Sequence, residues 1–207
     1  MSTIPASAVS AILSGDLTYL KRSLQAGASQ GVNIDLLRWP DWGMPLLGAL
    51  CLFHPDNATE MVRETIEAGA NRRAEWRHLT PVTLLVSGVP STGDEKQAEQ
   101  ERRLPTLALL LDGAPVADAI DATLSAARGG CALLMDSALD ALQDIAPGDG
   151  LGTEAADTAL RLCAQRDDVD GAVTVLRKYP DLPRWSAMLS MGGPLASRIQ
   201  DALKTVA

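Results

Sequence analysis

The apolar positions of this chain recur with helical spacing and are punctuated by glycine and proline. In "EMVRETIEA" (60–68) Val62 and Ile66 fall on one face at i, i+4, and in "ILSGDLTYLKRSLQAGA" (12–28) Leu17, Leu20 and Leu24 share another. Asn57, with Glu60 three residues on, predicts a capping box at the start of the first of these helices. Gly69 predicts its stop, because glycine enters the left-handed conformation without a Cβ penalty. Thr80 and Pro81 predict the next start: a hydroxyl N-cap, then a proline where its missing N–H is no loss. Residues 70–79 are therefore read as an inter-helix connector.

The same punctuation recurs. "LKRSLQAGA" ends at Gly27-Ala28, "VRETIEAGA" at Gly69-Ala70 and "LALLLDGA" at Gly113-Ala114, so the glycines stand 42 and 44 residues apart. A period of that length in an all-helical pattern predicts stacked helix pairs. Six are expected, over 6–28, 45–70, 81–114, 116–147, 155–182 and 184–206. Two connectors break the regularity. "SGVPSTGDEKQAEQERRLP" (87–105) stretches the third pair as a mobile insert or an extra helical turn, with Pro105 expected to reset the helix. "APGDGLGT" (146–153) reads as a glycine-rich joint about which the two halves would hinge.

Helix starts at "GMPLLGAL" (43–50), "LTPVTLL" (79–85) and "DTALRLCA" (157–164), together with the Gly-Ala helix ends, carry a resemblance to the ankyrin repeat family. Its unit runs G-x-T-P-L-H-x-A-A, turns, and closes with L-L-x-x-G-A. Here Met44 replaces the motif threonine before Pro45, Leu47, Thr83 and Arg161 stand where the motif has histidine, and the spacing exceeds the usual ~33 residues. The resemblance implies an all-α fold: one ankyrin-like domain over 1–207, an α-solenoid of six stacked helix-turn-helix pairs with irregular finger loops.

Composition narrows the function. At 207 residues and 46% hydrophobic the chain fills a core, and its net charge of −8 opposes nucleic acid and anionic membrane, both of which need a basic face. A protein partner, if selected by overall charge, would be basic. Four lysines against fourteen arginines, with abundant Ala and Leu, hint at a GC-rich bacterial genome. The N-terminus lacks a basic leader, and Cys51, Cys131 and Cys163 form no C-x-x-C pair, so a reduced cytoplasmic setting is expected.

Catalytic constellations are not evident. Gly148, Gly150 and Gly152 follow no strand and precede no lysine, which argues for a linker over a phosphate loop. In "RDDVDG" (166–171), Gly171 at the sharp-turn position would place Arg166 first and Arg177 last where a calcium loop needs acids, leaving an acidic turn between helices. Two histidines, His54 and His78, sit in different connectors without a triad around them. No cofactor or metal is expected, and the cysteines read as small hydrophobes.

The tryptophans carry more. Trp39, Trp42, Trp76 and Trp185 all fall in connectors or at a helix start. Trp39, Asp41 and Trp42 occupy one finger; Arg72, Arg73, Trp76, Arg77 and His78 make a basic, aromatic cluster in the next. Each tryptophan either plugs the base of its finger or joins a binding hot spot, where Trp and Arg are favoured. Thr83 and Arg161 would face a groove beside the fingers. The expected function is a non-enzymatic protein-binding scaffold that occludes or neutralises a partner, in the manner of an immunity or antitoxin-like inhibitor. Alternatives are an adaptor or host-directed effector bridging two proteins through the groove and the 91–103 insert, and a small-ligand protein or enzyme built around a histidine in a closed pocket.

Overall fold

The computed structural model describes residues 2–3, 6–40, 42–90, 93, 95–148 and 150–206. Among these are twelve helices: α1 (Ala6–Leu13), α2 (Leu17–Ser29), α3 (Leu46–Phe53), α4 (Ala58–Glu67), α5 (Pro81–Ser87), α6 (Glu95–Leu111), α7 (Val116–Gly129), α8 (Ala132–Ile145), α9 (Gly150–Gln165), α10 (Val169–Lys178), α11 (Pro183–Met191) and α12 (Pro194–Val206). Two short strands, β1 (Ser2–Thr3) and β2 (Leu37–Arg38), pair in parallel. The fold is all-α, as the periodicity predicts.

Contacts divide the chain into two compact units, 1–88 and 89–207. The division falls at the edge of the 87–105 insert, not at 146–153, and it separates the third expected pair: α5 lies in the first unit and α6 in the second. Within the first unit α1 packs on α2, α2 on α4, α3 on α4, and α3 on α5. Within the second, α7 packs on α8 and α9, α8 on α6 and α10, α9 on α10 and α11, and α10 on α12. In both units first helices neighbour first helices and second helices neighbour second ones.

The cores follow from the apolar stripes. In the first unit Leu20, Leu24, Met44, Leu50, Met61, Val62 and Leu85 are buried; in the second, Leu107, Leu110, Leu134, Met135, Leu139, Leu160 and Val175. Such side chains contribute about 1.5–3 kcal/mol each on burial. Small residues let the helices approach: a Cβ on Gly48 in α3 would stand 2.9 Å from Leu84 Cδ1 of α5.

Helix boundaries hold in some places and shift in others. Thr80 caps α5, its Oγ1 accepting from the Thr83 N–H at 3.3 Å with Pro81 first in the helix. Gly69 and Gly113 take the left-handed conformation, but Gly27 lies inside α2, which runs on to Ser29. Asn57 begins α4 at φ 61° without capping it; its side-chain amide instead donates to Gly15 O in the turn between α1 and α2, at 3.0 Å. The side chain donates to a tertiary carbonyl and accepts no N–H from its own helix.

Both irregular connectors are partly helical: 87–105 follows the reading with extra helix, whereas helix at 146–153 departs from the expected joint. Pro105 does not restart a helix; it lies within the 17-residue α6 at an exposed position, where it removes one intrahelical hydrogen bond. The helix is held upstream by buried Arg103, whose Nε donates to Glu99 Oε1 at 2.6 Å. At 146–153, α9 begins at Gly150, and Gly152 is buried where a Cβ would meet the Tyr179 hydroxyl at 3.1 Å. Gly152 is thus a packing residue.

Candidate functional site

Two hairpin-like fingers stand in the first unit. The first follows β2: Arg38 bridges Pro45, the Trp39 N–H donates to Met44 O at 2.7 Å, and the Gly43 N–H donates to Trp39 O at 3.0 Å. The second is a two-residue turn, in which the Trp76 and Leu79 backbones exchange hydrogen bonds of 3.0 and 2.9 Å. Its base is anchored by the Asn71 N–H, which donates to Asp35 Oδ1 at 2.8 Å, and by the Arg73 N–H, which donates to Asn71 Oδ1 at 2.9 Å.

The tip of the second finger is strained. Arg77 and His78 have φ of 51° and 66°. Positive φ at both central residues is the geometry normally filled by Asn-Gly or Gly-Gly. For side chains with a Cβ it costs about 1–2 kcal/mol per residue. The turn nonetheless carries two charged or polar side chains, both exposed.

An aromatic chain joins the fingers. Trp39 and Trp42 both tilt onto Phe53, the chain's single phenylalanine, with centroids 5.2 and 5.4 Å apart. The Trp76 indole N–H donates to Trp42 O at 2.8 Å, and the Arg77 guanidinium sits 4.6 Å over the Trp76 ring. Burial separates the roles: Trp39 is 6% exposed and Trp42 48%. Trp39 therefore plugs the base of its finger and contributes no contact surface. Trp42, half-buried Trp76, and exposed Arg77 and His78 form the accessible cluster. Arg73 is exposed and Arg72 half-buried, and both have partners within the protein. Asp41 lies outside the described residues.

Phe53 was not singled out by the sequence, although its position closing the helix after a two-tryptophan finger is the signal that marks it. His54 is buried at the end of α3 at φ 44°, while His78 stands on the exposed turn. Thr83 is turned back onto Thr80, their hydroxyls 3.1 Å apart. No protein-family model, curated protein or solved structure matches the chain. The likeness to ankyrin repeats accordingly rests on the residues that carry it.

In the second unit, Arg161 lines an open cleft of about 1080 Å³ between α9 and α11, with Thr153, Asp157, Thr158, Met188 and Met191. Arg184 Nε donates to Asp157 Oδ2 across it at 2.9 Å. Asp168 of the "RDDVDG" turn caps α10 through the Gly171 N–H at 2.9 Å, a structural use of the acid. No group of three or more potential metal-ligating side chains occurs among the described residues. All three cysteines are buried, and burial, aided by Asp168, pushes the Cys163 thiol up to about 12. A thiol that resists ionisation is a poor nucleophile. No helix is long and apolar enough to cross a membrane among the described residues.

Proposed function

We propose that this chain is a non-enzymatic protein-binding scaffold of ankyrin-like helix pairs, which grips a partner with its two fingers and acts by occluding it, as an immunity or antitoxin-like inhibitor does. The observation that carries this reading is the finger tip. Arg77 and His78 hold a backbone conformation that glycine would adopt at lower cost, beside exposed Trp42. Strain of this kind is found where function requires the side chains, and Trp and Arg dominate protein-binding hot spots. Occlusion is the mode this reading favours, because a surface that presents an aromatic and an arginine side chain covers what it binds.

The test is affinity capture by the full chain and by a Trp42→Ala/Arg77→Ala variant, at a temperature where both are fully folded. The expected result is one stoichiometric protein held by the wild type and weakened by about 2 kcal/mol or more in the variant. Its activity should fall when the scaffold is added. A captured protein that binds both forms alike would count against the fingers, and one whose activity is unchanged would count against inhibition.

A further inference from the structure

The charge at the fingers is opposite to that of the chain. Residues 1–88 hold seven Lys or Arg against eight Asp or Glu, whereas 89–207 hold eleven against eighteen, so nearly all the net −8 belongs to the second unit. Within the finger "NRRAEWRH" (71–78), three arginines and a histidine face one acid, Glu75. Charge complementarity at this surface calls for an anion, although the whole chain favours a basic partner.

The geometry narrows the anion. Lying over the Trp76 ring holds the Arg77 guanidinium in place, and Arg77 forms no ion pair with any described residue. A planar fork with N–H donors unspent suits bidentate capture of a carboxylate. Trp42, 48% exposed and joined to Trp76 through its carbonyl, lies alongside as an apolar platform. We infer that the fingers dock an acidic segment of the partner protein, a carboxylate on Arg77 and a neighbouring apolar side chain on Trp42. A nucleic acid fits less well, because its successive phosphates need a row of cations, and Glu75 and Asp35 interrupt the row here.

This inference rests on the fingers being the docking surface, and its test separates the two. A phage-displayed random dodecapeptide library is selected on the full chain, with an oligo-uridine strand as a parallel probe. Selected peptides should carry Asp or Glu beside an aliphatic or aromatic residue. Their affinity should fall about tenfold or more in Arg77→Glu and clearly in Arg77→Lys, which keeps the charge but loses the fork. Both variants keep a Cβ at the strained position, so their melting temperatures should match the wild type. Basic or uncharged peptides lost in Trp42→Ala would overturn the acidic assignment and leave the fingers as the docking surface. Acidic peptides indifferent to Arg77→Glu, or preferential binding of the oligo-uridine, would also overturn it. Peptides unaffected by any finger variant would remove both readings.

Discussion

Trp39 and Trp42 stand three residues apart, share one aromatic partner and do different work. Trp39→Ala removes a 6%-exposed ring from the core and should cost about 3–5 kcal/mol of stability. Trp42→Ala should cost much less, about 1 kcal/mol, because half its surface already faces water. Denaturant melts of the two variants check this. Cys163 gives a pH signature. Its thiol, raised by burial to about 12 from an ordinary 9.0, keeps its proton in the folded chain. The stability this represents is fully present below pH 9, and is lost as pH rises toward 12 because the unfolded chain sheds the proton first. Alkaline melts of the wild type should therefore lose up to about 1.4 kcal/mol per pH unit in that window, with a shallower slope in Cys163→Ala.

At the scale of elements, the helices were legible because their signals are local. Leu20 and Leu24, Val62 and Ile66, Thr80 with Pro81, and Gly69 each act within one turn of chain, and each predicts its element correctly. The misreadings came from partners distant in sequence. Asn57 bonds Gly15 O, 42 residues away, in preference to its own helix, and Gly152 is buried against Tyr179 because helices pack there. Pro105 departs for a different reason: the helix runs through it at an exposed position at the cost of one intrahelical hydrogen bond. Pro105→Ala should accordingly restore an intrahelical bond in α6 and raise stability by about 1–3 kcal/mol, measurable by chemical denaturation. Of the candidate site, the residue types were readable and their depth was not. Burial of Trp39, the packing of the first finger on Phe53 and the Trp76–Trp42 bond between the fingers depend on tertiary contacts that spacing does not encode.

The whole molecule is two compact units whose boundary at 88/89 interrupts the third expected helix pair. Cooperative units open separately when contacts concentrate within them. Hydrogen exchange on Trp39→Ala should thus show faster exchange across α2 to α5 and unchanged protection in α7 to α10; uniform loss of protection would mean one cooperative unit. The charge is divided along the same line, with the acidic excess in residues 89–207 and the basic finger in 1–88.

If the finger tip sacrifices stability to present its side chains, the double replacement Arg77→Asn/His78→Gly should separate the two, with melting temperature and affinity for the captured partner measured on the same protein. Asn-Gly satisfies the turn without strain. The expected result is a gain of about 1–2 kcal/mol, chiefly from the glycine at position 78, or roughly 4–16 °C for a unit of this size, together with at least a tenfold loss of binding. A variant that melts no higher than the wild type, or that binds as tightly, would contradict it.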